Sequence, residues 1–593
     1  MAKPLDDSQL LRLASDPRTR LVSPVRGATV FGPLVVLVGL IPCLAAVVGG
    51  EFTDQVAGWG LRVLDVSTAL EIQDWLEPGR NGLGNAYVNQ PPLSAWLQAV
   101  LLSYVGSDQL ANWRVISLAL ACFTIWATFV LGRRMGGASF GLVAAVALAT
   151  HPTLLRLSIS TSPAVLGLLL IVLAINGFLG HLEGPLQLVS LRMLAGAVAW
   201  GLALLAVGPV AVVLAIPFVV HAWLLQVGRH EPHANSATAR LWQFWLGMRT
   251  VTVFVITALS FSGWWQLMML ANHGREFWVD WWTGRVLLNF PPQTPHSIWR
   301  VWLSEQSFVL GFLLVGLIGV IKELQAPGSE ISRRRCQFVL GWWLTALAAR
   351  IIFDIAPLRS SIMIDAWDGL FLLPTVLLIA WGVKAIALRQ TQPAIEGLLI
   401  CLTVGLCSWR FLHSMWIGIL AFILALGVVA LLPAIVPRLR RGARRWSERD
   451  WKLLLQFSMV LIITGQMSAG LVQLPVPSVE SQSLTELRKR ISSLESVPRV
   501  TLMTYQGMAP ESLEFVLRSR WPWSEFLVPG SPDGKPRETA EAPPPNELMI
   551  EWTQHEVRIM NELPVDRQAT AVGDPIRFRG RRVMIYEVGP RQR

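Results

Sequence analysis

Apolar residues arrive along this chain in blocks of about 20, separated by short polar and charged loops, and a block of that length lets an α-helix cross the hydrocarbon core of a bilayer. The blocks run over 28–49, 112–132, 138–155, 160–180, 190–207, 209–227, 250–270, 307–322, 336–354, 364–386, 396–409, 412–434 and 453–473. This pattern predicts an all-α polytopic membrane domain of about 13 transmembrane helices over residues 1–474. A shorter apolar stretch, 92–106, reads as a helix on the membrane surface.

Basic residues set the expected orientation. Arg133-Arg134, Arg229 to Arg249, Lys322 to Arg335, Lys384 to Arg389 and Arg438 to Lys452 fall in alternate loops, which the positive-inside rule assigns to the cytoplasm. The N-terminus is then inside, and the loops 50–111, 271–306 and 355–363 are outside, with everything after about Pro475. The first block follows Lys3, Arg12, Arg18, Arg20 and Arg26, but it is too long for a signal peptide and lacks a convincing cleavage site. It reads as an uncleaved first span.

Past Pro475 the apolar runs shorten and Pro and charge rise. Strand patterns occur at 499–505, 547–552 and 581–588, and a helix pattern with Glu early and Arg late at 510–520. These predict a small C-terminal α/β extracytoplasmic domain over 475–593. It shows no phosphate-binding Gly loop, and the chain has no solenoid-type repeat.

Composition agrees with this picture. Of 593 residues, 53% are hydrophobic and 15% charged, against about 25% charged in soluble domains. The net charge of +11 resides in the short loops, so membrane orientation accounts for it and nucleic-acid binding is not expected. Cys43, Cys122, Cys336, Cys401 and Cys407 lie in or beside apolar spans without zinc spacing, which implies neither a metal site nor a disulfide framework.

Candidate chemistry gathers in the exterior loops, where an apolar scaffold carries its functional residues. The segment 61–98 is polar, with Asp65, Glu71, Asp74 and Glu77, and a rigid Pro91-Pro92 leading back toward the membrane. Asp65 opens a helical pattern. It reads either as a helix N-cap or as a general base taking a proton from an acceptor hydroxyl. Tyr87, Asn89 and Gln90, held by turn residues and the two prolines, could face a polar head group. The second exterior segment interleaves Trp264, Trp265, Phe277, Trp278, Trp281, Trp282, Phe290 and Trp299 with His273, Arg275, Glu276, Asp280 and Arg285. An interfacial aromatic belt explains the rings, and aromatic faces beside charges also suit sugars and phosphates. Arg350, Asp354, Arg359, Asp365 and Asp368 mark the outer ends of the ninth and tenth spans, where the two arginines either bind a lipid phosphate or pair locally.

In order and spacing, several short pieces resemble glycosyltransferase family 39, the ArnT-like and protein-O-mannosyltransferase-like enzymes of GT-C architecture. The pieces are Asp65 with Leu70-Glu71-Ile72, and Tyr87 with Pro91-Pro92-Leu93 and Trp96-Leu97-Gln98. Leu131-Gly132-Arg133-Arg134 follows, then His151-Pro152 ending the third span, Glu276-Phe277-Trp278 and Phe371-Leu372-Leu373-Pro374. Tyr505 to Leu517 is similar to an exterior piece of the family. The resemblance spans about residues 28–390 and, more weakly, the tail.

The resemblance implies transfer of a monosaccharide from a polyprenyl-phosphate donor to a lipid, glycan or protein acceptor at the exterior face of a bacterial inner membrane. Asp65 would be the catalytic residue, and Glu71, Tyr87, Asn89, Gln90, His273, Glu276, Arg350 and Arg359 would bind substrate. It also exposes departures. Val66 stands where the family has Glu, and Asn89-Gln90 where it has Glu-Lys, the lysine meeting the lipid phosphate. Thr161-Ser162-Pro163 replaces an acidic position, and Val279 and Val286 fall where the ArnT-like branch carries histidines. A divalent-metal site is therefore not supported, and no cofactor beyond the lipid-linked donor is expected. The alternative is a catalytically degenerate relative that binds lipid or assists assembly.

Overall fold

The computed structural model describes residues 54–67, 75–76, 91–105, 110–159, 162–182, 189–214, 216–218, 220–221, 237–283, 309–325, 330–355 and 361–387, four residues within 486–490, and the strands of the tail. The helices are α1 Asp54–Ser67, α2 Leu93–Val105, α3 Leu110–Gly136, α4 Ala138–Ala149, α5 Pro152–Ile159, α6 Pro163–Leu182, α7 Leu191–Val207, α8 Ala237–Thr283, α9 Leu310–Gln325, α10 Glu330–Ile355 and α11 Ser361–Ala387. Among the described residues, five helices are long and apolar enough to cross a membrane, or six when the bent pair α4–α5 is taken as one span. The chain is an integral membrane protein built on apolar helices. The expected spans 28–49, 396–409, 412–434 and 453–473, and the tail helix 510–520, lie outside the described residues.

The predicted blocks over 112–386 become helices, with two corrections. The block at 209–227 begins not as an α-helix but as a 3-10 turn, Gly208–Leu214. Gly208 closes α7 at φ 62, a conformation that favours glycine, and Pro209 cannot donate the next helical hydrogen bond. His151-Pro152 does not end the third span but bends it. α4 stops at Ala149, α5 restarts at Pro152, and the limbs meet at 59°. The buried His151 ring accepts the Thr153 backbone N–H through Nδ1 at 3.1 Å, so it caps the second limb.

Close helix contact is bought with glycine where lipid offers no hydrophobic drive. A Cβ on Gly316 of α9 would run into the Leu378 carbonyl oxygen of α11, and one on Gly382 of α11 into the Phe312 carbonyl of α9. Around such contacts the core is aromatic. Phe218 lies within ring contact of Phe178, Trp200, Phe254 and Phe338, drawing α6, α7, α8 and α10 together.

The helices alternate in direction. Arg133, Arg134, Lys322 and Lys384 stand near the C-terminal ends of α3, α9 and α11, where a cation complements the helix dipole. Arg335, near the start of α10, donates to the Met135 carbonyl of α3 at 3.0 Å. The basic residues at 133–134, 322–335 and 384 thus share one end of the bundle, while Arg438 to Lys452 and the first part of Arg229 to Arg249 lie outside the described residues. We call the opposite end the outer end.

In the tail, strands β1 Arg499–Thr504, β2 Glu525–Leu527, β3 Glu547–Thr553, β4 Arg567–Ala571, β5 Ile576–Phe578 and β6 Arg581–Pro590 form one sheet. Its order is β2-β1-β3-β6-β4, with β5 also on β6. β1 runs parallel to β2 and β3, while β6 is antiparallel to β3, β4 and β5. Parallel neighbours require crossovers of a dozen residues or more, and the 20 residues between β1 and β2 meet that need. The three predicted strands are β1, β3 and β6.

Candidate active site at the outer end

The described part of the first exterior segment is largely helical. α1 buries Trp59, Leu61, Val63, Leu64 and Val66 against Ala95, Ala99 and Leu102 of α2 and Trp113 and Ile116 of α3. Arg62 is fully enclosed in the same helix, its guanidinium carbon 5.5 Å from the centre of the Trp59 ring. The Trp59 indole in turn donates to Gln98 Oε1 at 2.9 Å, fixing the platform beneath the arginine.

Asp65 stands on this helix three residues after Arg62, in its last turn. The N-cap reading is therefore wrong, because the helix starts eleven residues earlier, at Asp54. The Asp-Val-Ser-Thr run that resembled a start signal is a C-terminal end, closed by Ser67 Oγ donating to the Leu64 carbonyl at 2.8 Å. A carboxylate in the last turn opposes the helix dipole by about 0.3–1 kcal/mol.

The remaining outer end is assembled by tryptophans. The Pro92 carbonyl accepts the Trp96 N–H at 2.9 Å, so the proline pair starts α2 directly. The Trp96 indole donates to the Trp75 carbonyl at 2.6 Å and the Trp265 indole to the Leu76 carbonyl at 3.1 Å. Trp96 stacks on Trp264 with ring centres 6.3 Å apart. Trp264 and Trp265 of α8, expected in the aromatic belt, thus also pin the first exterior segment. Farther along α8, Gly274 at φ 58 breaks the helix. His273 precedes this break half-buried, Glu276 follows it, and Phe277 packs on Trp265 at 5.7 Å.

Arg114 and Ser117, both buried, occupy the outer part of α3. One turn on, Leu118 packs against Leu155 of α5. From α5, Arg156 crosses to α11 and donates to Asp368 at 2.6 Å, with side chains 40% and 13% exposed. Ser162 Oγ accepts the Ala164 N–H at 3.3 Å. Where the family resemblance calls for an acid, this chain has a helix cap.

The predicted site residues therefore stand as follows. Asp65, Glu276 and Arg350 are placed on α1, α8 and α10, and His273 lies beside the α8 break. Glu71, Tyr87, Asn89, Gln90 and Arg359 lie outside the described residues. Sequence reasoning missed Arg62, Arg114 and Arg156. Arg156 adds an arginine to those two near the tenth span, reaching Asp368 from the third span. The available signal was an arginine inside an apolar stretch, which is costly in a membrane and points to function.

The described residues form an apolar helical bundle with a helix in the first exterior segment, a bent third span and a mixed sheet in the tail, and the likeness that follows identifies the fold as GT-C. Among solved structures the chain is similar to ArnT from Cupriavidus metallidurans bound to undecaprenyl phosphate. The TM-score is 0.56 at 15% identity, covering 95% of this chain and 98% of that one. The same enzyme in the apo state gives a TM-score of 0.53 at 16% identity over 94% and 98% of the two chains. No family model matches the sequence, and no curated protein matches it. The likeness is one of fold.

Proposed function

We propose that this protein is a membrane glycosyltransferase that moves a monosaccharide from a polyprenyl-phosphate donor to an acceptor hydroxyl at the outer end of the bundle. The observation that carries this reading is the near end-to-end match in fold to ArnT, whose solved structure is bound to undecaprenyl phosphate. Asp65 takes the hydroxyl proton of the acceptor. The acceptor oxygen bonds to the anomeric carbon as the bond from that carbon to the phosphate oxygen breaks, and polyprenyl phosphate leaves with the electron pair. One displacement inverts the anomeric centre. A dry outer end strengthens every electrostatic contact made to the leaving phosphate. The proposal routes no step through a metal. We place the outer end and the tail domain outside a bacterial inner membrane and the N-terminus in the cytoplasm.

A second reading is favoured by the replaced charges. Ser162 serves as a helix cap where the resemblance calls for an acid, which fits a relative that keeps the fold and binds lipid without turnover. Purified protein in nanodiscs, given polyprenyl-phosphate-linked sugars and a panel of hydroxyl acceptors, separates the two. Release of polyprenyl phosphate with transfer supports the enzyme. Tight binding of the lipid with no release across the panel supports the second reading.

A further inference from the structure

The geometry points to Arg156, positioned by Asp368, as the cation that receives the phosphate of the polyprenyl-phosphate group. This rests on the reading of the chain as an enzyme of lipid-linked sugars, and it assigns the phosphate to a residue of the bent span rather than to Arg350 or Arg359.

Three features carry the inference. The first is that the limb bearing Arg156 is a built feature. Pro152 opens it, the His151 ring caps it, and the 59° bend lets it meet both α3 and α11 at the outer end. Broken membrane helices that carry ionisable groups recur at sites handling polar substrates.

The second is the isolation of the charge. Arg156 is the single charged residue in Pro152–Ile159, and its neighbours Leu154, Leu155 and Leu157 are all buried. Arg156 alone opens outward, with 40% of its side chain accessible.

The third is the form of the ion pair. A guanidinium is a planar fork of five N–H donors suited to a phosphate. The 2.6 Å contact to one Asp368 oxygen orients that fork. A carboxylate partner also keeps the arginine tolerable beside hydrocarbon until the anion arrives.

A clasp that only ties α5 to α11 would show a different response to mutation. The test compares binding of undecaprenyl phosphate, undecaprenol and inorganic phosphate to the full-length protein in neutral-lipid nanodiscs, for wild type, Arg156→Met, Arg156→Lys and Asp368→Asn. Thermal midpoints are recorded to follow folding. The wild type should prefer the lipid phosphate over the alcohol at least tenfold, and Arg156→Met should lose that preference. Asp368→Asn should weaken it less, even though both changes break the same ion pair, and Arg156→Lys should keep part of it and report the site if the Met variant does not fold. Inorganic phosphate should compete only at far higher concentration than the lipid.

Wild-type preference that survives undiminished in Arg156→Met, or in Arg156→Lys together with Asp368→Asn, would overturn the assignment and leave the proposed function intact. Complete displacement of the lipid by phosphatidylglycerol at equal mole fraction would also overturn it, since the arginine would then be a general headgroup contact. A wild type that does not distinguish undecaprenyl phosphate from undecaprenol would remove both the assignment and the reading beneath it.

Discussion

At the basic end of the bundle, one carboxylate ties three helices. Glu323 of α9 accepts from Ser332 Oγ of α10 and from the Trp381 indole of α11, the latter at 2.9 Å, and lies 3.9 Å from Lys384. Nearby, Arg134 donates to the Asn176 carbonyl and Arg335 to the Met135 carbonyl. At the outer end the cations are arranged otherwise. Arg62 is enclosed beside Trp59, Arg114 is buried at the head of α3, and Arg156 stands half-open on a bent limb. The basic end uses charge to close helix ends. The outer end holds charge inside apolar packing, with Arg62 and Arg114 buried and Arg156 on the limb that follows the α4–α5 bend. Burying an ion costs several kcal/mol, and the proposed function gives that cost a purpose at the outer end.

The largest expected effect comes from Asp65. Asp65→Asn removes the proposed base without changing size. It should lower sugar transfer about 10²–10⁴-fold, measured as release of polyprenyl phosphate, while expression and thermal midpoint stay near wild type. Full activity in that variant would move the base to another group.

Next comes packing near the basic end. Gly316→Val inserts a branched side chain where a single Cβ already meets the Leu378 carbonyl, so α9 and α11 must separate. Overpacking of this kind costs about 1–3 kcal/mol. A lowered thermal midpoint in detergent with unchanged lipid preference is the expected outcome, and a stable variant would mean that these helices do not approach so closely.

The smallest effect is expected at the carboxylate of that end. Glu323→Gln keeps an acceptor for Ser332 and Trp381 but loses the charge facing Lys384, worth about 0–1 kcal/mol. Transfer should be unaffected. A loss of turnover as large as that of Asp65→Asn would erase the distinction between the two ends.

Much of the fold could be read from the chain because the signals were local. Most helices over 112–386 follow from block length alone, apart from the 3-10 turn at 208–214 and the bend at His151-Pro152, and β1, β3 and β6 follow from runs of β-branched and aromatic residues. β2, β4 and β5 span only 3, 5 and 3 residues, too short to announce themselves. α1 was misread because the Asp-Val-Ser-Thr run at its C-terminal end also matches the residue types that start helices. Pro152 was visible, but nothing nearby in sequence says that the chain resumes as a helix at 59°.

The site was less legible than the fold. Asp65 reads from the sequence as either a helix cap or a general base; the cap reading fails because Asp65 lies in the last turn of α1, and the base reading belongs to the proposed function. Arg156 and Asp368 are 212 residues apart, and no local pattern joins them. Arg114 heads a span, where an arginine is ordinarily taken to reach back to the interface. Only the packing of α1, α2 and α3 shows how deeply the outer end encloses its cations.

The most direct test of the account is an experimentally determined structure of the full-length protein in nanodiscs with undecaprenyl phosphate. Phosphate density is expected at the outer end, at the Arg156–Asp368 pair. Phosphate density at the Glu323 end, or a saturated sample with none at the outer end, would contradict it.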